Sequence, residues 1–311
     1  MALALTLLIV GMTGGINYVV DPFSRRDQHS LELARLEINR NKNIPLWSVF
    51  SVGKISGEER KTAEVVILGD SRATLLTQRE DKLEFRMTRV AGYSVLNLSL
   101  GGGSIRESLS FFDHQKNQLG GFPSLKKIVF TLPFNRICEP EKVDRIEQSA
   151  EMADNPLLYY LNGYVLKTSL VTLTKSGDST GLARRKLTTA DGDKALKAWT
   201  NIYQKYDAEL ARQRQVALRE FVDLMSAKGV EVIFYQPPGG ASGRKLMRQL
   251  GIEGIYDEFL QVTERIGRVE NFADETEIGG EKFSYTIGDP IHHDQGVKIL
   301  ELILGGKRAI D

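Results

Sequence analysis

Cysteine, histidine and net charge are all scarce in this chain. Cys138 is the only cysteine and there are only four histidines among 311 residues. A single thiol closes no internal disulfide and builds no cysteine-based zinc site, although it leaves the cellular compartment open. Charge of one sign is also missing: 41 Lys and Arg against 40 Asp and Glu leave +1. Nothing global therefore recruits nucleic acid or an anionic surface. There is no internal repeat.

What is present is an ordinary globular balance, 41% hydrophobic and 26% charged, which argues against disorder. The length suits one large α/β domain with a sizeable insertion. Ala2 to Val20 carries no charge. As a helix it would span ~28 Å, close to the hydrocarbon thickness of a bilayer. Gly11, Gly14, Gly15 and Asn17 weaken it, and it lacks both the basic leader of a signal peptide and a small-x-small cleavage site. We read residues 1–20 as an uncleaved hydrophobic signal anchor with a start upstream of Met1; the competing reading is a buried first helix. Arg25 and Arg26 are offset by Asp21 and Asp27, so flanking charge gives no orientation.

Residues 21–60 read as a connector and edge element, and 61–311 as the folded domain, interrupted by an insertion at about 138–194. Val65-Val66-Ile67-Leu68 is an aliphatic run of the kind covered on both faces in a parallel sheet. It runs into Gly69-Asp70-Ser71 and then a helix start. Ser71 would lie on a strand-to-helix turn at the carboxyl edge, a good place for a nucleophile, although Asp and Ser are also ordinary helix caps. Further strands are expected at 93–98, 125–132, 230–235 and 269–272. Helices are expected at 104–118, 195–228, 242–250, 255–267 and 295–304. In the second of these Ala217, Leu218, Phe221, Leu224 and Met225 form the apolar face and Gly229 the cap. Strands alternating with helices imply a three-layer α/β/α fold with a mostly parallel five-stranded sheet. The insertion contains an apolar segment at 157–173 and a polar loop at 176–193 with Arg184-Arg185-Lys186, suited to a lid, a docking surface or simple packing.

The loops that follow strands in such a sheet meet at one edge. Ser71, the Gly101-Gly102-Gly103 cluster, Asn135, and Asp289 with His292 all fall in such loops or just before the last helix. Together these residues resemble the SGNH (GDSL-like) hydrolase superfamily over about residues 64–304. The resemblance matches Gly69-Asp70-Ser71 to the first block, Asn97 with Gly102 to the second, Asn135 to the third and Asp289-Pro290-Ile291-His292 to the fifth. The third block departs: Pro133-Phe134-Asn135-Arg136 keeps the Asn but lacks the usual Gly and the Asp. The resemblance implies a catalytic triad of Ser71, His292 and Asp289. It implies an oxyanion hole from the Ser71 and Gly102 N–H groups and the Asn135 amide. A serine hydroxyl needs a base to take its proton, and a carboxylate one turn away can orient that base. His293 is the alternative base, and Asp294 the expected cap of the last helix. No second ligand cluster accompanies His292-His293-Asp294, so neither metal nor cofactor is expected.

The implied activity is that of a serine esterase or O-acyltransferase, acting on acylated carbohydrate or another ester through an acyl-serine. The amino-terminal segment and the altered third block resemble membrane-anchored SGNH proteins that acylate, above all acetylate, bacterial surface polysaccharides. By that resemblance the chain would be anchored outside the cytoplasm, contacting membrane through residues 2–20 and working with polysaccharide-modification partners. The alternative is a non-catalytic SGNH-like scaffold for glycan binding or assembly, docking through 138–194.

Overall fold

In the computed structural model the residues described are 2–20, 57–74, 76–77, 87–99, 103–118, 121–139, 161, 166, 197, 199–238, 240–273, 275, 277–278, 281–282, 285–286, 289–290 and 293–305. The side chains of Ser71, Asp289 and His293 are not among them, and Gly102 and His292 lie outside the described residues altogether. So does most of the proposed connector and insertion.

Val65-Val66-Ile67-Leu68 forms β1, fully buried at every position. Alternation sends Val65 and Ile67 to one face of the sheet and Val66 and Leu68 to the other. β1 lies centrally in a six-stranded sheet with β2 (Met87–Val90), β3 (Tyr93–Asn97), β4 (Lys127–Thr131), β5 (Glu231–Gln236) and β6 (Arg268–Asn271). The strand order is β2-β3-β1-β4-β5-β6. All pairings are parallel except β2 with β3. In register, Val65 faces Val95 on one side and Lys127 on the other.

The sheet thus has six strands, not the expected five. The additional strand, Met-Thr-Arg-Val, has only two apolar residues and no buried run to announce it. It is folded back by Ala91 and Gly92, whose φ angles of 49° and 83° give the doubly left-handed turn that suits a two-residue hairpin.

Helices cover both faces. On one, α9 (His293–Gly305) packs Ile299, Leu300 and Ile303 against Val65, Ile67, Val95 and Ile233. Burying each such aliphatic side chain stabilises the fold by about 1.5–3 kcal/mol relative to exposure. On the other, α4 (Ile105–Gln118) and α6 (Ala208–Ser226) meet through Phe112 and Phe221 in an edge-on ring pair at 5.5 Å. Phe221 then contacts Phe130 of β4 at 6.3 Å. The mixed α/β, three-layer arrangement follows.

Three further expectations need correction. The helix expected over 195–228 is broken: a helical segment at 199–203 ends in a turn at Gln204 and Lys205, and α6 starts anew. The cause is Asp207, whose Oδ1 accepts from Leu210 N at 3.0 Å and caps the new helix. Its buried face uses Ala211, Leu218, Val222 and Met225, whereas Leu224 is exposed. The stretch 286–293, read as a loop, contains a short antiparallel ladder of β9 (Tyr285–Thr286) and β10 (Asp289–Pro290). A similar ladder joins β7 (Glu277–Ile278) and β8 (Glu281–Lys282). Asp294 falls inside the first turn of α9 rather than at its cap.

The chain divides into two compact units, one of residues 1–56 with 144–185 and one of 57–143 with 186–311. In the first, residues Ala2–Val20 form the helix α1. A Cβ placed on its Gly14 would lie 3.3 Å from Leu161 Cδ2, and Leu8, Ile9, Val10 and Met12 are exposed. The side chains of α1 are described only at Thr6 and at 8–16. Among the described residues no helix is long and apolar enough to cross a membrane.

Candidate functional site

The carboxyl edge of the sheet is shaped first by Gly69. Its φ is 130°, and a Cβ there would stand 2.7 Å from Thr131 Cβ and 2.9 Å from Thr131 O. Only glycine lets β1 leave the sheet this close to β4. Asp70 comes next and is buried. Its Oδ1 accepts from Arg72 N at 3.0 Å, and its carbonyl accepts from Ala73 N at 3.0 Å. Asp70 therefore caps the single turn α3 (Ser71–Thr74), which is the ordinary role that either Asp70 or Ser71 could have filled.

The other oxygen of Asp70 reaches across to the loop after β4. Asp70 Oδ2 accepts from Arg136 Nε at 3.0 Å, and Arg136 Nη1 donates to Glu139 Oε1 at 2.6 Å. Burial disfavours the charged form of Arg136, but the two carboxylates outweigh it and hold the guanidinium above its ordinary value. Arg136, the residue after Asn135, thus serves as a strut between the two loops. Arg214 of α6 completes the support. Its Nη1 donates to the carbonyls of Arg136 and Ile137, at 3.1 and 2.7 Å, in the short helix α5 (Phe134–Cys138).

Asn135 begins within this braced segment and is 5% exposed. Its Oδ1 accepts from Arg72 Nη1 at 2.9 Å, its only hydrogen bond among the described residues. A guanidinium only donates, so this bond fixes which end of the amide is oxygen. Asn135 Nδ2 is thereby left as a donor for a ligand. The pairing joins Asn135 to the residue immediately after Ser71. Asn97, at the end of β3, is drawn to the same segment: its Nδ2 donates to Ala73 O at 2.9 Å and to Thr77 Oγ1 at 2.8 Å. Its role is to hold the backbone that carries Ser71.

Beside Asn135 lies a cavity of about 40 Å³, lined among others by Arg72, Trp199, Gln236, Arg244 and Tyr256. Phe134 lines it as well, its ring edge-on to Tyr256 at 5.2 Å, and burial pushes the pKa of the neighbouring Tyr203 phenol upward. Burial also pushes the Cys138 thiol up to about 12, which removes it as a nucleophile at neutral pH.

The structure therefore brings together the main chain at Ser71, Asn97 and Asn135. Asp289 is placed only as backbone, pairing with Thr286, and no distance joins it to Ser71. Among the described residues there is no cluster of three metal-ligating side chains. Sequence reasoning missed Arg72, Arg136 and Gln236. The partners of Arg72 and Arg136, Asn135 and Asp70, lie across the fold, and no local pattern announces them. No family model, curated protein or solved structure matches this chain.

Proposed function

We propose that this chain is a serine-dependent O-acyl esterase or O-acyltransferase of the SGNH type, acting on acylated carbohydrate at a cell surface and anchored through residues 2–20. The observation that carries this reading is the Arg72 to Asn135 bond. It holds a side-chain amide donor against the turn that bears Ser71, as stabilising an oxyanion there requires.

In the proposed mechanism Ser71 Oγ attacks the acyl carbonyl while His292 takes its proton. Asp289 keeps the imidazole in the required tautomer. The carbonyl oxygen becomes negative and is met by Asn135 Nδ2 and by the N–H groups of Ser71 and Gly102. The intermediate collapses with the alkoxide leaving group taking the proton from His292, and the acyl group stays on Ser71. Water or a sugar hydroxyl then attacks the acyl carbon, its proton passing to His292; the second intermediate collapses by breaking the bond to Ser71 Oγ, which takes that proton back from His292, so serine and imidazole are both regenerated.

The test is hydrolysis of para-nitrophenyl acetate by the full chain and by Ser71→Ala. Turnover should fall to background in the variant. Full activity in Ser71→Ala removes the assignment, and inactivity of the folded native chain favours a non-catalytic scaffold. Adding an oligosaccharide acceptor then separates acyl transfer from hydrolysis.

A further inference from the structure

The Asn135 amide is held by one hydrogen bond among the described residues, from Arg72 Nη1 to its Oδ1 at 2.9 Å. The torsion that turns a side-chain amide is broad, so this one bond decides where Nδ2 points. The aim of the donor is therefore inherited from the Arg72 guanidinium. That cation also polarises the amide, which strengthens Nδ2 as a donor. Arg72 is a long side chain, buried, with its Cζ 5.5 Å from the centroid of the Trp199 ring. At that range an aromatic face attracts a cation, and stacking orients the guanidinium plane.

Trp199 opens the helical segment 199–203, which ends in Tyr203. Four residues apart, the two side chains share one face of the segment, and their rings lie 6.4 Å from each other. Tyr203 is in turn 5.8 Å from the ring of Phe134, the residue before Asn135. One helical turn thus reaches the amide donor by two routes, through Arg72 to its side chain and through Phe134 to its backbone.

We propose that Trp199 is a positioning residue of the oxyanion site, acting through Arg72 on the Asn135 amide. Its ring holds the guanidinium plane, so that Nδ2 stays aimed while charge develops on the carbonyl oxygen. The inference rests on the acyl-transfer reading, which supplies the oxyanion that the amide meets.

Hydrolysis of para-nitrophenyl acetate by the full chain is followed as kcat and KM separately. Trp199→Leu removes the ring face, and kcat should fall about tenfold with KM little changed, a smaller loss than removal of the donor itself. Trp199→Phe keeps a face and should bring kcat back to within about threefold of the native chain. A chain already carrying Asn135→Asp has no amide donor to aim. There Trp199→Leu should lower kcat no further, because residues that act as a unit are not additive. A ring that only packs would lower kcat equally in both backgrounds or not at all. The proposal is overturned if folded Trp199→Leu keeps the native kcat, if its loss lies in KM alone, or if the loss is as large beside Asn135→Asp as without it. Where Trp199→Leu does not fold, Trp199→Met, which keeps bulk without a ring, is held to the same outcomes. Ester hydrolysis that Ser71→Ala does not reduce removes the acyl-transfer reading and this role together. Ser71-dependent turnover that is indifferent to Trp199 removes this role alone.

Discussion

Arg136 Nε and Asp70 Oδ2 form an ion pair at 3.0 Å, with side chains 12% and 1% exposed. The two residues sit in loops that follow different strands, so the pair fixes the separation of those loops. Glu139 shares the same guanidinium.

Removing Arg136 should therefore be expensive. Arg136→Leu removes the cation from the buried Asp70 carboxylate, and breaking a buried pair from one side costs about 3–5 kcal/mol. Urea denaturation read through the transition midpoint measures it. A loss below about 1 kcal/mol would show that water reaches the carboxylates.

Asn135 offers a cleaner test of chemistry than of stability. Asn135→Asp keeps an acceptor for Arg72 but loses the amide N–H, so fold and substrate binding should survive while kcat drops about 10²–10³-fold. An effect confined to KM would assign Asn135 to binding instead.

Gly69→Ala tests the close approach of β1 and β4. The added methyl meets Thr131 at 2.7 Å on a backbone with φ of 130°. Overpacking and strain together should cost about 2–4 kcal/mol. Thermal unfolding of the variant checks it, and an unchanged transition would mean that Thr131 yields.

Glu64 gives the pH dependence. Its hydrogen bond to Lys126 Nζ at 2.7 Å, helped by that of Ser94 N, holds its carboxyl below the ordinary 4.5. Because the folded value is the lower one, the stabilisation is complete above pH 4.5 and is lost as pH falls through the folded value. Both groups are solvent-accessible, so the effect is small. The melting temperature of the native chain should exceed that of Glu64→Gln at pH 7 and converge with it in acid. A constant gap between the two would contradict the pairing.

The parallel core was legible because its strands are buried runs: Val65–Leu68 and Lys127–Thr131 announce themselves by composition. The edge strand Met87–Val90 did not, since an edge needs no continuous apolar stretch. The break at Gln204 to Asp207 was hidden because apolar spacing continues on both sides of a cap that is only one residue long. Gly69, Ser71 and Asn135 could be assigned to one edge from topology alone. The contacts of Arg72 with Asn135 and of Arg136 with Asp70 could not, because each spans more than sixty residues and leaves no local pattern.

Arg214 lies near the middle of a nineteen-residue helix, yet donates to the carbonyl end of the short helix that carries Asn135. That five-residue turn is thus tied to the layer behind the sheet as well as to its own loop. Its amide protons should exchange with deuterium on the slow schedule of the helical layer, not at the fast rate of a surface loop.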